Sequence, residues 1–122
     1  MPLRCVTACV LLWAVPGMAS ASEWMTCDGD THQIEFLIGG LPQASITSFA
    51  VYVGGAPQDP KRWRVSLRYV NTKQARLYFS AVARQAGVEP NISLAVDGGV
   101  GQLRWGHSTE DVSCDWNGID EQ

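Results

Sequence analysis

The segment that decides the fold runs Asn71-Thr72-Lys73-Gln74-Ala75-Arg76-Leu77-Tyr78-Phe79-Ser80-Ala81-Val82-Ala83-Arg84-Gln85-Ala86-Gly87. It carries two periods at once. Read as a helix, Ala75, Tyr78, Phe79, Val82, Ala83 and Ala86 recur at a spacing of three and four and form one apolar stripe. Read as a strand, Leu77, Phe79, Ala81 and Ala83 share a face. Three local signals select the helix. Asn71 or Thr72 can cap its N-terminus, with Gln74 three residues after Asn71. Gly87 stands where a left-handed C-terminal residue belongs, and Pro90 follows. Lys, Gln, Ala and Arg, all good helix formers, fill the outer positions. The expectation is a helix over residues 73–86.

The flanking segments read as strands. Residues 62–70 alternate, with Trp63, Val65, Leu67 and Tyr69 on one face and Arg62, Arg64, Ser66 and Arg68 on the other. Residues 91–96 place Ile92, Leu94 and Val96 on one side. Asp97-Gly98-Gly99 signals a tight turn, and Val100–Trp105 returns with Leu103 and Trp105 inward. Further out, residues 31–38 alternate, residues 45–53 are rich in β-branched and aromatic residues, and residues 54–60 read as a loop. The first part of 45–53 also fits a short turn. A last short strand is expected over residues 111–116, ahead of a polar tail. Together these predict a small single α+β domain: a mostly antiparallel sheet with one helix, about 73–86, packed on one face.

The run Val65-Ser66-Leu67, Thr72, Ala75, Phe79, Gly87 and Leu94-Ala95-Val96-x-Gly98 resembles a module in the first periplasmic domain of SecD-type translocase subunits. Upstream, Ser45-Ile46-Thr47-Ser48 is similar to the segment that precedes it there. The likeness covers about Ser45–Gly99, roughly half the mature chain. It implies an α+β head that contacts exported polypeptide. Translocase activity does not follow, because the transmembrane helices of that family are missing from this sequence. A second likeness is to small periplasmic inhibitors of C-type lysozyme, which also join a cysteine near the mature start to one near the end. Their internal loop motif is absent here.

The first 21 residues have the order of a cleavable signal peptide. Arg4 is followed by an apolar run from Cys5 to Val15, a Pro16-Gly17 break and small residues Ala19-Ser20-Ala21. The run is too short to span a bilayer as a helix. The expected mature domain is residues 22–122, in the periplasm or secreted. Val6-Thr7-Ala8-Cys9 looks like a lipoprotein box, but too few residues precede Cys9 and the apolar stretch continues past it. Removing the signal leaves Cys27 and Cys114, and two cysteines in an exported domain predict one disulfide. Trp24 and Trp116 stand near them, which suggests indoles packed on the bridge.

The mature segment has eight basic and twelve acidic side chains, a net charge of −4. Such a balance argues against general nucleic-acid binding. The charge is segregated. Residues 61–84 hold Lys61, Arg62, Arg64, Arg68, Lys73, Arg76 and Arg84 and no acid. Arg62, Arg64 and Arg68, joined by Arg104, form the candidate binding face, since arginine suits bidentate recognition of carboxylates or phosphates. The competing reading is a solvated face balanced by Glu35 and Asp97.

Nothing in the sequence encodes catalysis. There is no Gly-x-Ser-x-Gly elbow, phosphate-cradling glycine loop or His-Glu-x-x-His. Asp28-Gly29-Asp30-x-His32 and His107-x-x-Glu110-Asp111 would approach each other if the disulfide joins the chain ends, and His with carboxylates can suit a divalent metal. The calcium-loop spacing fails, since the twelfth position is Gly39. The sequence therefore predicts no enzyme, no cofactor and no metal. It predicts an accessory or binding protein whose partner is another exported protein, with an inhibitor or immunity protein as the alternative. Intact mass of the exported protein should match a chain starting at Ser22. A lipid-modified Cys9 would contradict the signal-peptide reading.

Overall fold

The computed structural model describes residues 22–40 and 43–116. The expected signal peptide, residues 1–21, and the expected polar tail, residues 117–122, lie outside them. Nine strands form one antiparallel sheet: β1 Ser22–Asp28, β2 His32–Gly39, β3 Ser45–Val53, β4 Ala56–Gln58, β5 Trp63–Asn71, β6 Arg76–Ala83, β7 Ile92–Asp97, β8 Val100–Trp105 and β9 Ser108–Asp115. Their order across the sheet is β4-β3-β2-β1-β9-β8-β7-β6-β5. Two meanders, β1–β4 and β5–β9, thus meet where β1 pairs with β9. The sheet curls into a half-barrel, as the core contacts require. Phe36 of β2 lies edge-on to Phe79 of β6 at 4.9 Å, although four strands separate them across the sheet. Phe49 of β3 lies 5.1 Å from the same ring.

The α+β expectation is overturned. The segment expected as a helix over 73–86 is β6, preceded by a turn, and among the described residues the only helical piece is a single 3₁₀ turn, Pro60–Arg62. The capping chemistry was real but serves a turn. The Asn71 side-chain oxygen accepts the Gln74 N–H at 3.1 Å, as an N-cap would. Ala75 then takes a positive φ of 54°, which reverses the chain instead of starting a helix. Its carbonyl accepts the Gly98 N–H at 2.7 Å and ties this turn to the β7–β8 turn. Gly87 does adopt a left-handed φ of 88°, but in a loop.

Burial decides between the two periods. The helical stripe omits Leu77 and Ala81. The strand buries Leu77, Phe79 and Ala81 almost completely and turns Tyr78 outward. β6 lies between β5 and β7, so its backbone groups are satisfied on both sides.

The remaining strand expectations hold within a few residues, with β1 and β4 unforeseen. Gly54 and Gly55, both at positive φ, make the two-residue β3–β4 hairpin that hid β4 inside a presumed loop. The disulfide joins Cys27 to Cys114, which pair directly in the β1–β9 register. Trp116 packs against the core, but Trp24 is on the outer face opposite Cys27 and is 45% exposed, so only one of the two expected indoles packs inward. No helix among the described residues is long and apolar enough to cross a membrane.

The strand assignment separates two neighbours that the helical stripe groups together. Phe79→Ala should cost about 3–5 kcal/mol, as a buried aromatic does, and Tyr78→Ala should cost under about 1 kcal/mol, as an exposed site does. Denaturant unfolding of the two variants measures this. Equal large losses would restore the helix.

Candidate functional site

The candidate arginines do not share one face. Arg62 ends the 3₁₀ turn. Its Nη1 lies 3.4 Å from Glu89 Oε2 and donates to Gln58 Oε1 at 3.2 Å. Arg64 and Arg104 lie on the outer face, Arg64 opposite Val82 and Arg104 opposite Ser93. Arg68 is elsewhere, because β5 carries a bulge. Val65 pairs with Ala81 but Leu67 pairs with Ser80, so Ser66 is an extra residue. An extra residue inverts the facing of all that follows. Arg68 pairs with Phe79 and therefore turns toward the concave side, while Leu67 and Tyr69 turn outward. The expected apolar face of Trp63, Val65, Leu67 and Tyr69 is split at the same point.

The balancing acids also differ from expectation. Glu35 receives a hydrogen bond from Gln33 Nε2 at 3.3 Å and one from Tyr52 Oη at 3.4 Å. Asp97 faces Arg76 at 3.7 Å. Among the described residues, Arg64, Arg68 and Arg104 have no carboxylate within ion-pair distance.

β5 is also an end of the sheet. Its free edge faces the free edge of β3 across the mouth of the half-barrel, and no strand ladder joins them. A groove follows this seam. At one end Ile46, Phe49, Pro60, Val65, Arg68 and Phe79 line it, and at the other Gln43, Ala44, Val70, Asn71 and Lys73. On the convex side of the same strand, Tyr69 stacks on Tyr78 at 5.5 Å beside exposed Leu67. Leu67, Tyr69 and Tyr78 are 48%, 42% and 40% exposed. The margin of β5 therefore presents apolar and aromatic surface on one side and an apolar groove with unpaired cations on the other. Sequence reasoning found its arginines but missed Leu67 and Tyr69, because no local signal at Ser66 announces a bulge.

The second cluster is polar and sits where β2 and β9 approach across the end of β1. His32 Nδ1 lies 2.7 Å from Glu110 Oε1, and since a carboxylate only accepts, Nδ1 carries the proton. Glu110 Oε2 accepts the Thr31 N–H at 2.8 Å and the His32 N–H at 3.3 Å. Burial pushes the Glu110 pKa up, but the hydrogen bonds from the His32 ring, the Thr31 and His32 amides and the charge of His32 outweigh it, and the carboxyl is held below the ordinary range. The His32 ring leans on Trp105 at 4.3 Å, and Trp105 meets Trp63 at 5.8 Å. Trp63 Nε1 donates to the Pro90 carbonyl at 2.8 Å. Gly29 makes room for the pair, because a Cβ there would strike the Glu110 carboxylate. Of the residues considered as metal ligands, His32 and Glu110 meet, but no group of three His, Cys, Asp or Glu among the described residues is placed to hold a metal. The pair clips the β1–β2 turn to β9.

No family model, curated protein or solved structure matches this chain. The geometry of the β5 margin and of the His32–Glu110 clip is thus what bears on function.

The clip has a pH signature. A carboxyl with a lowered folded-state pKa adds stability that is complete above its unfolded pKa, about 4.3, and is lost as pH falls through the folded value. Glu110→Gln should cost about 1–2 kcal/mol near neutral pH, and the difference from wild type should shrink below about pH 4. Gly29→Ala should act in the same direction by displacing the carboxylate. Urea unfolding at stepped pH measures both. A gap that stays constant with pH would show that Glu110 acts only as packing.

Proposed function

We propose that this chain is a non-enzymatic exported binding protein that contacts another exported protein through the margin of β5. The observation that carries the reading is the exposure of Leu67 and the Tyr69–Tyr78 stack at a free sheet edge, beside unpaired arginines. Tyrosine and arginine are the residue types that anchor protein interfaces: each covers much area and adds directional hydrogen bonds. A sheet edge adds unpaired backbone donors and acceptors. The disulfide supports a site outside the cytoplasm, where such bridges persist. The net charge of −4 over residues 22–122 supports a protein partner over nucleic acid.

A photo-crosslinking residue at position 67, in cells that naturally make the protein, should yield one discrete adduct with an exported protein. The same probe at Gln33, on the outer face of the other meander, should not. Tyr69→Ser with Tyr78→Ser should lower the adduct about tenfold, the scale of a truncated aromatic anchor. Equal labelling from positions 67 and 33 would defeat the assignment.

A further inference from the structure

A groove runs along the free edge of β5 where that edge faces β3 at the mouth of the half-barrel. Deepening the binding reading above, and resting on it, we propose that the groove takes an extended acidic segment of the partner polypeptide. That segment adds as a strand to the free edge of β5 over Leu67–Asn71, and one of its carboxylates pairs with Arg68.

Three observations carry this. First, β5 pairs only with β6, so its other edge offers backbone N–H and C=O groups to an incoming strand. Past the bulge at Ser66 its pairing with β6 runs regularly through Asn71, which gives a guest five residues of template. Second, the groove floor is apolar, with Ile46, Phe49, Val65 and Phe79, and fits the alternate side chains of a strand that point toward the core. Third, the groove is charged with one sign. Arg68 and Lys73 line it, and no Asp or Glu does among the described residues. A cation beside apolar walls and without an ion pair favours a carboxylate on the guest.

Charge also rejects a second copy of this chain as the occupant. The β5 strand of a second copy holds Arg64 and Arg68 and no acid, so it brings no carboxylate to Arg68. An acidic partner strand supplies one.

The probe is a capped peptide, Thr-Val-Thr-Asp-Thr-Val-Thr, whose inward face carries valines for the apolar floor and a central aspartate for Arg68. It is compared with its lysine counterpart, in which that aspartate is replaced, and with two versions N-methylated at alternate amides, one in each register. Binding is read by amide hydrogen exchange and by NMR titration. The aspartate peptide should bind, slow exchange at residues 67–71 and shift the signals of Ile46 and Phe49. The lysine peptide should bind at least tenfold more weakly, and so should the aspartate peptide to Arg68→Ser. Arg84→Ser, at an exposed cation just after β6, should leave binding unchanged. N-methylation of the edge that faces β5 should abolish binding.

Failure of the aspartate peptide to bind at millimolar concentration overturns the proposal, as does undiminished binding of both N-methylated registers. Protection confined to other strands also overturns it. These results are separable from the crosslinking outcome. An adduct at position 67 without peptide binding leaves a partner docked on the convex tyrosines alone. Absence of both removes the binding reading itself.

Discussion

The Cys27–Cys114 bridge is the constraint on which the architecture depends. The sheet consists of two meanders, each held internally by long, nearly complete hairpin ladders. They meet only along β1 and β9, over Thr26–Asp115, Cys27–Cys114 and Asp28–Ser113. The disulfide is the middle one of these pairs. A bridge between residues 87 apart removes about 4–5 kcal/mol of chain entropy from the unfolded state in the loop-closure view. Its placement matters as much as its size, because it fastens the single three-pair ladder that joins the two meanders. The His32–Glu110 clip and the Trp116 indole, which donates to the Gly98 carbonyl at 2.7 Å, flank the same junction. Covalent and polar fastening is thus concentrated where the hydrogen-bonded register is shortest.

Fastening one side of a curled sheet leaves the other side to geometry. β4 covers only Val51–Val53 of β3, so the earlier part of β3 stays uncovered opposite β5. A long uncovered edge invites uncontrolled pairing, and proteins blunt such edges with bulges and charge. Both devices are present here, in the Ser66 bulge and in Arg64 and Arg68. They protect the edge against neutral and basic strands, including its own copy. An acidic strand meets no such barrier.

The sequence disclosed the strands whose alternation coincides with burial and whose turns carry Gly pairs. β2, β3, β7 and β8 were legible for that reason, as was the cysteine pair. β6 was misread because Asn71, Gln74 and Gly87 perform the same local hydrogen bonding and φ reversal at a tight turn as at a helix end. Local chemistry cannot distinguish the two when the segment between them satisfies both periods. What distinguishes them is the fate of Leu77 and Ala81, which only the assembled sheet determines. The candidate binding face was half legible. Composition marked the arginines, but their orientation depended on one extra residue.

That extra residue links fold to function more closely than any single charge. Without a bulge at Ser66, strict alternation from Trp63 would point Leu67 and Tyr69 into the core and Arg68 into water, beside Arg64. The protein would then have a uniform basic outer face and a sealed apolar interior. With the bulge, the strand exchanges faces halfway along. Apolar side chains come out onto the convex surface, and a cation enters the mouth of the half-barrel. Exposed Leu67 forfeits burial, and Arg68, exposed at the mouth, has no paired charge among the described residues. Under the proposed reading, a feature that gives up apolar burial on an edge strand positions that edge for a partner.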